Sequence, residues 1–143
     1  MLLAALPAWG DFKGRVVGVS EGDAVKVRDV HRVKHAVRLR CIDAPGLGQP
    51  YGEAAREYLA GLVSGRVVNV SGDAGDPGAR VTGELHLGRT NINLRMVADG
   101  YAWHHPEDAC KATYDDAESA ARTAGQGLWQ DSSPVPPWEF APQ

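Results

Sequence analysis

Val37-Arg38-Leu39-Arg40-Cys41-Ile42-Asp43-Ala44-Pro45-Gly46 is the stretch whose reading decides this chain. It reads as a strand that ends by presenting the Asp43 carboxylate, with Arg38 upstream on the same strand. A second acidic turn, Glu21-Gly22-Asp23, lies between two other β-rich runs and offers a partner carboxylate. Two acids and an arginine delivered from strand ends are the parts needed to hold a phosphate ester beside a metal cation. One part is missing: after Asp43-Ala44-Pro45, where an acid able to activate water would be sought, stands Gly46.

Outward from this stretch the chain is mostly β. Phe12 to Val19, Ala24 to Asp29 and Ala36 to Ile42 are valine-rich and separated by turn residues. Gly18 within Val16-Val17-Gly18-Val19 predicts a bulge or tight bend. Gly52 to Val63 reads as a helix, with Ala55, Tyr58, Leu59 and Leu62 on one face and Gly65 as its stop. Val67 to Ser71 and Arg80 to Leu87 read as strands around a glycine-rich loop from Gly72 to Ala79. Helices follow over Asn93 to Asp99 and Thr113 to Ala124, the latter with a stripe of Tyr114, Ala117, Ala121 and Ala124. The segment Ser132 to Trp138, rich in proline, is expected to lie extended against the domain rather than as helix. The order predicts an α+β, mainly β fold: a five-stranded OB-type barrel with three packed helices.

The chain's 143 residues suit one domain, residues 11–140, preceded by residues 1–10. A formal net charge of −3 argues against holding a polyanion through a bulk positive field, so any such grip is local. The apolar start Met1 to Gly10 is too short to span a bilayer. It reads either as the end of a secretory signal, with Ala8 and Gly10 before Asp11, or as a disordered tail. The first alternative places the protein outside the cell or in a periplasm. Cys41 and Cys110 lack the CxxC spacing of a zinc site. Cys41 reads as a small core residue in a buried strand. Its pairing with Cys110 stays open in an oxidising compartment.

Together, Val19-Ser20-Glu21-Gly22-Asp23, Val37 to Pro45, Gln49-Pro50-Tyr51-Gly52-Glu53-Ala54-Ala55, Asp76-Pro77-Gly78-Ala79-Arg80, Asn93-Leu94-Arg95-Met96-Val97, Gly100-Tyr101-Ala102-Trp103, Gly127-Leu128-Trp129 and Pro136-Pro137-Trp138-Glu139-Phe140 resemble the staphylococcal nuclease (thermonuclease-like) family from about Asp11 to Phe140. The resemblance implies a Ca²⁺-dependent endonuclease that hydrolyses DNA or RNA to 3′-phosphate ends and works as a monomer. It implies metal ligation by Asp23, Asp43 and the backbone carbonyl of Ala44, and a phosphate grip by Arg38 and Arg80. Aspartates are also common turn formers, and exposed strand arginines commonly pair with acids. Arg40, two residues from Arg38 on the same strand face, is the competing candidate for that grip.

Three departures from the family pattern stand out. Gly46 replaces the acid that orients or deprotonates water; Glu21 and Glu53 are the nearest substitutes in sequence. Ala24 replaces a common threonine, and Gly78 an aromatic residue. These losses imply weakened catalysis or, alternatively, a non-catalytic nucleic-acid-binding module. Of the remaining candidates, His104-His105 reads as a solvated loop pair, and His31 and His35 with Arg32 and Lys34 as a hairpin tip. Trp103, Trp129 and Trp138 read as packing anchors between helices and barrel.

Overall fold

The structure, a computed structural model, describes residues 11–73, 80–105 and 110–140. Residues 1–10 and the acidic and glycine-rich part of the loop at 74–79, Gly78 included, lie outside the described residues.

Strands β1 (Phe12–Glu21), β2 (Ala24–Asp29) and β3 (Lys34–Leu39) form an antiparallel meander. After β4 (Ile42–Asp43) and helix α1 (Gly52–Val63), strand β5 (Val67–Asp73) pairs with the free edge of β1. Strand β6 (Val81–Leu87) then pairs with β5 on one side and lies parallel to β3 on the other, from Val37↔Val81 to Leu39↔Gly83. That last pairing closes the five strands into a mixed barrel with no long exposed edge. The short strand β7 (Thr90–Asn91) extends β6 before helix α2 (Ile92–Ala98), and β8 (Trp103–His104) pairs with β4. Helix α3 (Ala112–Ala124) completes the three helices.

Alternation along each strand sends one set of side chains inward. Val16, Val25, Val27, Val37, Leu39, Val68, Val70, Val81 and Leu85 fill the barrel, each almost wholly buried. The bulge expected at Gly18 is present as a register shift between Val16 and Gly18. Helix α1 spans the predicted residues and buries Ala55, Leu59 and Val63, while Tyr58 and Leu62 are partly buried. On α3, Tyr114 and Ala121 are buried and Ala124 is exposed; the helix ends where Gly125 turns left-handed at φ 64°. Among the described residues no helix is long and apolar enough to cross a membrane.

Two expectations are corrected. The third strand does not run to Ile42: it stops at Leu39, and Cys41 adopts φ 75°, so the chain turns before β4 begins. Cys41 therefore sits in a turn and is bonded to Cys110, 69 residues away, with a Cα–Cα distance of 5.8 Å. Long-range bonds hold this turn. Arg40 N–H donates to Gly83 O at 2.9 Å, His105 N–H to Cys41 O at 2.9 Å, and Asn93 Nδ2 to Arg40 O at 2.9 Å. Asn93 is fully buried and also links β6 through Gly83 O at 3.0 Å and Leu85 N–H at 3.0 Å. The tail lies against the domain, pinned by Gln49 Nε2 donating to Val135 O at 2.6 Å, but Pro137–Glu139 forms a 3₁₀ turn. Proline at the first position of that turn removes no needed donor.

Candidate active site

Asp23 reaches its place because Gly22 lets the β1–β2 turn press against the helix. A Cβ on Gly22 would lie 2.7 Å from the Ala55 Cβ and 2.9 Å from the Ala44 Cβ, inside any tolerable contact. Asp23 is only 5% exposed. Its Oδ2 accepts from the Ala44 N–H at 3.0 Å and from Arg38 Nη1 at 3.2 Å. Ala44 thus joins the two acidic turns through its own backbone.

Asp43 comes from the opposite side, at the end of β4. Arg38 Nη2 lies 4.0 Å from its Oδ1 and donates to Ile42 O at 3.4 Å. One guanidinium therefore touches both carboxylates and the strand that carries the second. Asp43 is pushed up to about 6: burial comes first, then the Asp23 carboxylate, opposed by Arg38 and by His105. A hard cation beside the two carboxylates would relieve the repulsion that raises Asp43. Carboxylate oxygens are donors that fit such an ion. Among the described residues no group of three or more His, Cys, Asp or Glu side chains converges on one point, so the protein's share of a metal shell would be small.

Ser20, Glu21, Asp23, Ala24, Arg38, Asp43 and Arg80 line one open cleft at the barrel surface. Four of the five predicted site residues meet there as side chains, with Ala44 beneath them donating its N–H. Arg80, in the connection leading into β6, is exposed to this cleft. Arg40 instead donates from Nη2 to Thr82 O at 3.2 Å and is not among the lining residues. Of the two acids closest in sequence to the missing one, Glu21 lines the cleft. Glu53 lies on the exposed face of α1, paired with Arg56 at 3.1 Å. At Gly46 a Cβ would meet no described atom within 4 Å, and its φ is not positive, so neither space nor backbone demands glycine there.

The histidine readings change in part. His31 is at an exposed hairpin tip, but His35 is half-buried, bonded to Asp29 at 2.7 Å and packed on Phe12. That bond holds the Asp29 carboxyl below the ordinary carboxylate range. His104 is no solvated loop residue: it lies in β8, 8% exposed, with Nδ1 2.6 Å from Asp115. His105 faces Asp43 electrostatically and packs its ring 5.7 Å from Trp138. Trp103 and Trp129 are anchors as expected, edge to face at 4.4 Å under the Arg122 guanidinium. Trp138 differs, with 43% of its surface exposed. Sequence carried no signal for the His105–Trp138 neighbourhood, because the two belong to segments joined only by the fold.

Residues 36–131 match the family described as staphylococcal nuclease homologue. The chain is 37% identical to a protein named micrococcal nuclease from Shigella flexneri, over 98% of this chain and 86% of that one. It is 36% identical to an "uncharacterized endonuclease" of Escherichia coli, over 90% and 84%. A third relative, "Protein ParB" of Escherichia coli, is 34% identical over 98% of this chain and 85% of its own length. With the barrel, the motif order and these matches in agreement, the chain belongs to the staphylococcal nuclease family.

Proposed function

We propose that this nuclease-type domain is a Ca²⁺-dependent endonuclease that hydrolyses DNA or RNA to 3′-phosphate ends, slowed by Gly46. The single observation that carries the reading is the shared cleft: Asp23, Asp43, Arg38 and Arg80 face one volume. Asp23, Asp43 and the Ala44 carbonyl are the ligands this reading gives the ion. When bound, the ion neutralises phosphoryl oxygens and favours attack at phosphorus. Arg38, already oriented by Asp23 and Ile42 O, offers paired donors to non-bridging oxygens without further ordering of its long side chain. Arg80 grips the same group from the β6 side. Together they offset the charge that grows as water attacks and the 5′-oxygen leaves. Glu21 is the cleft acid not committed to Arg38, and Gly46 leaves no side chain at the position that would activate water.

The Cys41–Cys110 bond supports export to an oxidising compartment, outside the cell or in a periplasm, where we take the protein to act as a monomer. Gly46 favours one other reading: a module that grips nucleic acid without cutting it.

Cleavage of a fluorescent single-stranded oligonucleotide, in Ca²⁺ and in EDTA beside Asp43→Ala, tests the first reading. Calcium-dependent cutting that disappears in Asp43→Ala is expected. Gly46→Glu should raise turnover by about 10²–10⁴, the range a general base supplies. Binding without cutting, and a Gly46→Glu variant equally inert while calcium still binds, would leave the binding-module reading standing instead.

A further inference from the structure

The second feature beside the cleft is aromatic. Asp43 in β4 pairs across the ladder with Trp103 in β8, and His105, which follows β8, lies close enough to act on the Asp43 carboxylate. Trp138 packs its ring edge-on to Trp103 at 5.6 Å and lies 5.7 Å from His105. Nothing about the tail leaves this ring loose. Pro134, Pro136 and Pro137 fix backbone angles on its N-terminal side, Gln49 holds Val135, and the 3₁₀ turn presents Trp138 outward. A tryptophan used only as a packing anchor hides its faces, as Trp103 does at 6% exposure; Trp138 keeps 43%.

The pocket that Trp138 walls also contains Trp103, His104, Asp115, Glu118 and Arg122. Its charges are mutually engaged: His104 with Asp115 at 2.6 Å, and Arg122 with Glu118 at 3.3 Å. Such a surface has no excess of positive charge for a phosphate, in contrast to the Arg38–Arg80 side. It does hold buried polar atoms without a partner among the described residues, Trp103 Nε1 and His104 Nε2. Trp103 Nε1–H is a donor. His104 Nδ1 lies 2.6 Å from Asp115, which leaves Nε2 as the ring nitrogen open to a ligand. Two unpartnered ring nitrogens beside an open indole match the edge and face of a heterocyclic base.

We propose that Trp138 is a stacking platform for one nucleobase of the substrate strand, in the pocket floored by Trp103 and His104, while the neighbouring phosphate enters the arginine cleft. The proposal rests on the nucleic-acid reading above and adds a preference to it. Only an unstacked base can reach the indole, so single strands are favoured over duplex.

The test is fluorescence anisotropy in Ca²⁺ with the full 143-residue chain. The probes are a labelled oligothymidylate with a cleavage-resistant phosphorothioate backbone and an abasic strand of the same length. The wild-type protein is expected to bind the base-bearing strand about tenfold more tightly, within the range of one stacked base. Trp138→Ala should abolish that ratio and leave abasic binding unchanged. Trp138→Leu keeps apolar cover over Trp103, so it carries the same expectation should the alanine variant fail to melt cooperatively. Arg38→Ala should weaken both strands alike. If either tryptophan variant retains the full ratio, or the wild type shows none, stacking is overturned while the nuclease reading stands. If the wild type binds neither strand, both fall together.

Discussion

The two turns that carry Asp23 and Asp43 each present one carboxylate to the same cleft and are built in opposite ways. The β1–β2 turn is local: neighbouring strands pair across it, and a glycine lets it pack on Ala55 and Ala44. The β3–β4 turn has a left-handed Cys41 at its centre and is held from three distant parts of the chain: Gly83, Asn93, and His105 with Cys110. A site that needs two carboxylates in register can therefore be broken at one wall while the other remains. The dependence on remote support is the greater for Asp43.

The largest expected loss follows from cutting the disulfide. Closing a loop of 69 residues contributes about 4 kcal/mol in the chain-entropy account. Cys41→Ser with Cys110→Ser should lower stability by about that amount in a denaturant titration. Calcium affinity measured by calorimetry should fall as well, because the Asp43 wall loosens. Unchanged calcium affinity in the folded variant would show that the β3–β4 turn does not need its cross-link.

Asn93→Leu comes next. It strands the Arg40 carbonyl and the Leu85 N–H, while Gly83 O keeps the Arg40 N–H, and leaving such groups buried and unpaired costs about 3 kcal/mol in all. Gly22→Val tests the other wall. Its branched side chain must displace Ala55 or Ala44, an overpacking cost of about 2 kcal/mol. Here the loss of calcium binding should accompany a smaller loss of stability than in Asn93→Leu. If thermal melts rank the two variants the other way, the assignment of the local turn as the less demanding one is wrong.

The smallest effect is a pH dependence. Asp43 holds its proton up to about 6 in the folded protein, above its value in the unfolded chain. Between about pH 4 and 6 the folded state therefore binds the extra proton, and the metal-free protein loses stability as pH rises through that window. Asp43→Asn should flatten this slope in EDTA. Calcium competes with the same proton, so its affinity should increase as pH passes 6. The Asp29–His35 pair acts with the opposite sign: the lowered Asp29 value gives stability that fades only as the pH falls below the ordinary carboxylate range.

The barrel, its bulge at Gly18 and the bounds of α1 were legible in the sequence because periodicity, glycine and valine act over a few residues. Motif spacing also singled out Asp23, Asp43, Arg38 and Arg80, which the fold brings to one cleft. Cys41 misled because its neighbours have strand character, while its backbone is set by hydrogen bonds to Gly83 and His105 that no local pattern encodes. His104 misled for the same reason: β8 exists only because Ile42 and Asp43 lie beside it. Glu21 and Glu53 stood equal in sequence, and only the fold separated them, one facing the cleft and one paired to Arg56 on α1.

By itself, then, the sequence determined the strand and helix order, the residue types needed for phosphate chemistry, and the absence of an acid at Gly46. The tertiary structure decided which acid remains in the cleft, that one guanidinium bridges both carboxylates, and that a tail tryptophan packs beside Trp103 and His105. The division has a physical cause. Backbone preference and amphipathic period are properties of short segments, whereas cleft composition and the Asp43 proton depend on groups brought together across the chain by barrel closure and a disulfide.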